Sequence, residues 1–264
     1  MEIKLNTIYN IDCFEGLKFI EDKSIDMILT DPPYNKIQSS WEYDLDLTLF
    51  WKEIKRIIKP SGAIVLTCAQ PFTSKLVSSN LSMFRYELVW VKNRGTDFLN
   101  VNKKPLQAHE NILVFYKKLC TYNPQKTQKN PYVKKSAKKE SSDHHNPIKR
   151  TPIINRDGKR FPLSILYFNK VERGIHPTQK PLGLFEWLIK TYTNKGDLVL
   201  DPFLGSGTTA LACLRLQRNF IAFEREEKYC LLAEERIKPF RKEQKRLDKL
   251  ILEEKTIGDY LLEN

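Results

Sequence analysis

The chain has 264 residues, 41% of them hydrophobic, and a formal net charge of +12, which suits one α/β domain with an insertion and leaves ample material for a core. No apolar run approaches the ~18–20 residues that span a bilayer, and residues 1–10 lack the apolar segment of a secretory leader, so the sequence predicts a cytoplasmic protein with no membrane partner. Cys13, Cys68, Cys120, Cys213 and Cys230 are scattered, odd in number and never spaced CxxC, which argues against a disulfide framework and a zinc site, and no metal is expected.

In chain order, Ile25–Thr30 reads as a buried strand. Leu47–Ile58 has helical periodicity and stops at a turn signal, Pro60-Ser61-Gly62. Ala63–Cys68 is the next strand, and Pro71 suits the first turn of a helix towards Ser79. Tyr86–Val91 and Asn111–Tyr116 read as two more strands. From Lys117 to Arg160 the pattern breaks into a polar, proline-dotted stretch with thirteen Lys or Arg against three acids, Glu140, Asp143 and Asp157. Such concentration predicts a polyanionic partner, and a long irregular stretch of this kind is expected to be mobile. Within it, His144 and His145 read as solvated loop residues. A helical pattern resumes after Pro181, followed by a short strand at Leu198–Leu200, a helix at Gly207–Leu216, and a strand at Asn219–Phe223. From Glu226 one long helix is expected, interrupted by Pro239, with a densely charged last part. Strand-helix alternation predicts an α/β, doubly wound sheet.

The first strand runs into Asp31-Pro32-Pro33-Tyr34, on the edge where open α/β sheets bind ligands. Two prolines fix φ and remove two N–H donors. The polar groups left are acceptors, the Asp31 carboxylate and the Pro32 carbonyl. An exocyclic amino group on a flipped base offers two N–H bonds and a flat π face. Asp31 and the Pro32 carbonyl would accept the hydrogens, and Tyr34 would stack on the extruded ring.

The second motif is strand, glycine turn, helix: Asp201-Pro202-Phe203-Leu204-Gly205-Ser206-Gly207-Thr208-Thr209. Gly205 and Gly207 allow a tight turn and close approach to a ligand. Without the Lys of a GK[ST] loop, triphosphate binding is disfavoured, and the GxGxxG of a dinucleotide site is incomplete. Glu224 closes the next strand about twenty residues on, placed to accept from ribose hydroxyls. Ribose beside an acid-lined turn suits a cationic nucleoside such as S-adenosylmethionine; another nucleoside remains open at this point.

Together these residues resemble the amino-methyltransferases of DNA in their circularly permuted β group, over nearly all of residues 5–236. The order matches: catalytic half, recognition region, cofactor half. The resemblance implies a Rossmann-like, mostly parallel seven-stranded sheet with an antiparallel strand pair at its end, and four segments: a catalytic half (1–116), a basic target-recognition insertion (117–175), a cofactor-binding half (176–236) and a charged helical tail (237–264). It also implies that Asp12 and Cys13 meet the cofactor's adenine end, although Ile11 stands where the family usually has Gly. Thr178, Gln179 and Lys180 would contact the methionine end, with Lys180 on its carboxylate. Phe203 would pack on the cofactor, and Asp201, Gly205, Ser206, Gly207, Thr208 and Glu224 complete the cofactor set. His109-Glu110 before a strand also fits the family. In this family Asp at the first motif position usually goes with adenine and Ser with N4 of cytosine, so Asp31 favours N6 of adenine.

The expected reaction is direct in-line methyl transfer on DNA, duplex or single-stranded, with rate drawn from positioning and preset acceptors. Lys92, Asn93, Arg94, Lys134, Lys135, Arg150, Arg156 and Arg160 are the expected DNA contacts. The resemblance also leaves room for a homodimer. N4-cytosine transfer is the first alternative. A C5-cytosine enzyme is excluded because no cysteine follows a proline. RNA- and protein-directed relatives begin the corresponding turn with Asn. A non-catalytic DNA-binding protein on this fold would be expected to have lost Asp31, Tyr34 or the glycines.

Overall fold

The computed structural model describes residues 2–33, 44–134, 153–172 and 178–241. β1 (Thr7–Asn10) and α1 (Cys13–Leu17) come first, then β2 (Ile25–Thr30), α2 (Leu47–Ile57), β3 (Ile58–Cys68), α3 (Phe72–Ser79), β4 (Phe84–Thr96) and β5 (Gln107–Phe115). Four short strands follow: β6 (Thr127–Gln128), β7 (Tyr132–Lys134), β8 (Ile153–Asn155) and β9 (Lys159–Arg160). The chain then forms β10 (Ile165–Tyr167), α4 (Leu182–Tyr192), β11 (Leu198–Asp201), α5 (Thr208–Arg215) and β12 (Asn219–Glu224). A last helix, α6, covers residues 227–241. Among the described residues no helix is long and apolar enough to cross a membrane, and all five cysteines are buried free thiols.

Eight strands make one sheet in the order β1-β12-β11-β2-β3-β5-β4-β10. Only β5 runs against its neighbours, pairing antiparallel with β3 and β4. The sheet is thus mostly parallel as expected, and β10, registered with β4 from Ile165 opposite Val89, brings its strands to eight. Both faces are covered, so the central strands read as unbroken apolar runs. One face packs Met27, Leu29 and Val65 against α4, α5 and α6. The other packs Ile28, Ile64 and Leu66 against α1, α2 and α3.

The helices show why they dock. α2 buries Leu47, Phe50, Trp51, Ile54 and Ile57 along one stripe, and Asp46 caps it by accepting from the Thr48 and Leu49 amides,. α4 buries Leu184, Phe185, Leu188, Ile189 and Tyr192, each side chain of this size contributing roughly 1.5–3 kcal/mol of transfer free energy.

Two boundaries differ from the sequence expectation. Pro60-Ser61-Gly62 is not a terminal turn: it lies inside β3, where the pairing with β2 slips from Ile25 opposite Ile58 to Met27 opposite Ala63. The extra residues are accommodated as a bulge, the place in a strand where proline and glycine are tolerated. Pro239 does not interrupt α6, which runs through it to residue 241. Proline deletes one helical hydrogen bond, and the buried Tyr229, Ala233 and Ile237 before it, with the partly buried Phe240 after it, hold that helix down.

The chain divides into two compact units, residues 1–123 with 164–264, and residues 124–163. The second is narrower than the expected insertion and is not wholly irregular. It contains two antiparallel ribbons, β6 with β9 and β7 with β8. Inside it, the Arg160 guanidinium stacks on Tyr132 at 4.3 Å and donates to the Asn130 carbonyl at 2.6 Å and Asn155 Oδ1 at 2.7 Å.

Candidate active site

β2 and β11 are neighbours in the sheet, and the chain goes on from β2 to β3 on one side but from β11 to β12 on the other. The crevice outside such a switch point is where open α/β sheets bind ligands. Asp31 follows the last residue of β2, and Asp201 is the last residue of β11. The two motifs, far apart in sequence, therefore meet at one point of the sheet.

Asp201 is the internal tie. It is 3% exposed, and it accepts from the Thr30 hydroxyl at 2.6 Å, the Phe203 amide at 3.1 Å and the Thr209 hydroxyl. Burial pushes its carboxyl up to about 6 against these hydrogen bonds, with help from the neighbouring Asp31 charge,. The glycine turn is held from a second side by Glu224, whose Oε2 accepts from the Gly205 amide at 2.8 Å while Oε1 accepts from the Glu226 amide at 2.9 Å. Each oxygen retains a second lone pair, and burial raises the Glu224 carboxyl. Arg236 of α6 clamps the third side by donating to the Ser206 carbonyl at 2.8 Å and Thr208 Oγ1 at 3.0 Å.

Beside these groups opens a cleft of about 900 Å³, counting its open mouth. Asp12, Cys13, Asp31, Pro32, Pro33, Thr178, Gln179 and Lys180 line it, together with Asp201, Phe203, Gly205, Ser206, Thr208 and Glu224. Asp12 reaches it as the N-cap of α1, accepting from the Phe14 amide at 2.9 Å. Phe203 stacks on Phe50 of α2 with ring centroids 6.2 Å apart. Phe185, Arg225 and Tyr229 also line the cleft; they carry no motif, and only their adjacency to α4, Glu224 and α6 brings them in. Tyr34 lies outside the described residues.

Gly207 departs from the expected cofactor role. It is not part of the cleft wall but the N-cap of α5, with φ +76°, and a Cβ there would come within 2.8 Å of Ala233 Cβ. Its glycine lets the turn approach α6.

Beside the cleft runs a chain of alternating charges. Lys92 Nζ sits 2.6 Å from Glu110 Oε1, Lys180 Nζ sits 3.6 Å from Glu110 Oε2, and Lys180 also pairs with Asp31 Oδ2. Asp31 Oδ1 accepts from the Thr67 hydroxyl at 2.6 Å. Burial raises the Asp31 carboxyl despite the Lys180 charge. For Glu110, burial opposes ionisation, but the ammoniums of Lys180 and Lys92 outweigh it and hold the carboxyl below the ordinary value.

This chain corrects one expectation and shows the resting place of Lys180, which lines the cleft with its ammonium buried between Asp31 and Glu110. Lys92 is not a surface contact: it is 8% exposed, with its ammonium on Glu110 and 5.3 Å above the Trp90 ring. The alternation of β4 is the reason, since Leu88, Trp90 and Lys92 share its inward register,. Of the other expected DNA contacts, Asn93, Arg94, Lys134 and Arg156 are exposed. Asn93 accepts from the Lys170 amide at 2.9 Å, and Arg94 lies 3.6 Å from Glu172. The Arg160 guanidinium is held in place by its hydrogen bonds to Asn130 and Asn155. Lys135 and Arg150 lie outside the described residues.

Residues 25–235 match the family model described as DNA methylase. The Type II methyltransferase M.BglII of Bacillus subtilis is 32% identical over 256 residues, covering 87% of this chain and 68% of that protein. M.HpaI of Haemophilus parainfluenzae, also a Type II methyltransferase, is 30% identical over 246 residues, covering 86% and 72%. Among solved structures, the M1.HpyAVI-SAM complex aligns with a TM-score of 0.60 at 30% identity, over 87% of this chain and 98% of that one. The cytosine-N4-specific PvuII DNA methyltransferase aligns at 0.63 with 21% identity, over 92% and 93%, a likeness of fold.

Proposed function

The chain belongs to the N6/N4 DNA methylase family, and from that premise we propose that it methylates N6 of adenine in DNA with S-adenosylmethionine as methyl donor. The observation that carries this reading is the meeting of Asp31 with the Glu224-held glycine turn in one cleft. An acceptor for the target's amino hydrogens and a nucleoside-binding turn thus share one wall.

The cleft fits the donor by its chemistry. Asp12, Asp31, Asp201 and Glu224 outnumber Lys180 and Arg225 among its charged lining residues, which suits a cationic ligand. The spare lone pairs of Glu224 suit ribose hydroxyls. Asp12 would accept from the adenine amino group, Phe203 would pack on the ring, and Thr178 and Gln179 would meet the methionine end. Bound S-adenosylmethionine supplies a methyl group on a sulfonium.

The protein's own contribution is positioning. The Asp31 carboxylate and the Pro32 carbonyl accept the two amino hydrogens and turn the nitrogen lone pair towards the donor. Tyr34 stacks on the extruded base. Thr67 orients Asp31 by donating to Oδ1. No nucleophilic side chain is required, because the base nitrogen is itself the nucleophile. Adenine is favoured over cytosine by the Asp at position 31, following the family's usual correspondence. The exposed Lys134 and Arg156 supply cations for the DNA backbone.

The test is mass spectrometry of nucleosides from DNA incubated with the protein and methyl-labelled S-adenosylmethionine. Label in N6-methyladenine is the expected result. Label in N4-methylcytosine overturns the choice of base, and absence of label on varied duplex and single-stranded DNA overturns the proposed function.

A further inference from the structure

Asp31 has a competitor for its proposed task. In the structure its Oδ2 already holds the Lys180 ammonium. During methyl transfer the target nitrogen gains positive charge, so an ammonium fixed on the same carboxylate opposes the reaction by repulsion and by occupying an acceptor. The cation needs somewhere else to go.

Glu110 offers that place. Its Oε1 is engaged by Lys92 at 2.6 Å, while its Oε2 is buried and lacks a hydrogen-bond partner. A buried carboxylate oxygen left unpaired is costly. The Lys180 ammonium is 3.6 Å from it, and a shift of ~1 Å brings that ammonium to ordinary charge-assisted hydrogen-bond distance. The move leaves the net charge of the buried set unchanged. Lys92 holds Glu110 still, on the inward register of β4 above Trp90.

We propose that Lys180 is a two-position side chain that rests on Asp31 and moves onto Glu110 Oε2 when the target amino group takes Asp31, with Glu110 and Lys92 as positioning residues. The inference rests on the proposed role of Asp31 towards an amino group and holds for either base. Without the receiving anion, Lys180 remains on Asp31 and transfer slows. Removing Lys180 as well removes the competitor.

The experiment is a double-mutant cycle read by single-turnover methyl transfer on a duplex carrying a site mapped with the wild-type protein. Cofactor affinity is measured alongside by calorimetry. Glu110→Gln is expected to slow transfer tenfold or more while cofactor affinity stays within twofold. Adding Lys180→Met to Glu110→Gln is expected to restore at least threefold of the lost rate. A structural role for Glu110 gives the opposite, since deleting a second buried charge then lowers the rate further, and that result overturns the proposal. Glu110→Asp keeps the anion but withdraws it by one methylene; it should show a smaller loss, also relieved by Lys180→Met, and it serves if Glu110→Gln does not fold. A wild-type protein that labels cytosine N4 overturns the base assignment and leaves this cycle standing. One that transfers no methyl group to DNA overturns the proposed function and this inference with it.

Discussion

Thr30 donates its hydroxyl to Asp201 Oδ1 at 2.6 Å, across 171 residues of sequence, and so ties the end of β2 to the end of β11 at the floor of the cleft. The carboxyl that receives it is pushed from 3.8 up to about 6 by burial.

That shift predicts a pH dependence of stability. Because the folded value is raised, the folded state holds the proton more tightly than the unfolded chain does. The contribution is full below about pH 4 and is lost as pH rises through about 6, on the order of 3 kcal/mol. Asp201→Asn should flatten the decline in that window. Urea unfolding at pH 4, 5, 6 and 7 measures it; a variant declining as steeply as the parent would show that another group sets the slope.

Asp31→Ala is expected to lower methyl transfer by ~10²-fold or more. Glu224, the Asp12 cap and the glycine turn do not depend on it, so cofactor affinity should stay within about twofold. Isothermal titration alongside single-turnover kinetics separates the two. Full activity in a purified, folded variant would remove Asp31 from the reaction.

Gly207→Ala should destabilise by roughly 1–3 kcal/mol, since it combines a left-handed backbone with overpacking. The added methyl meets Ala233 Cβ at 2.8 Å, so Ala233→Gly in the same chain should return the steric share and leave the backbone share. Denaturant midpoints of the two single variants and the double give the coupling. Strictly additive losses would mean that the two residues do not touch.

Arg156 and Arg160 should separate in DNA binding, although the sequence presents them alike. Arg156 is exposed, and Arg156→Ala is expected to weaken affinity across sequences and lower the salt slope by ~1. Arg160 is bonded to Asn130 and Asn155, so Arg160→Ala should disturb the 124–163 unit itself. Fluorescence anisotropy over a salt series and proteolysis of that unit distinguish the cases.

The difference between those arginines marks where the sequence is readable. β2 and β11 announce themselves because a strand buried on both faces is a plain apolar run, and each empties into a motif with restricted backbone. The cleft is legible for the same reason: Asp31, Gly205 and Glu224 sit on elements whose ends are fixed. β1 gives little sign, being four residues long with none of them fully buried. β6 to β9 are two or three residues each, too short for any period to show. Lys92 is legible too, since Leu88 and Trp90 set its inward register on β4. Arg236 carries no local mark at all; its function as a clamp exists only once α6 lies against the glycine turn.

The order of strands has a consequence for the newborn chain. β2 is made early, yet one of its two neighbours, β11, ends 171 residues later at the partner of Thr30. At 5–20 residues per second on the ribosome this is a delay of roughly ten to thirty seconds. For that time an apolar strand at the heart of the eventual sheet has one flank open, the condition under which strands find wrong partners. Synthesis of this protein therefore passes through a vulnerable interval set by topology, and holding chaperones have their natural target at residues 25–30.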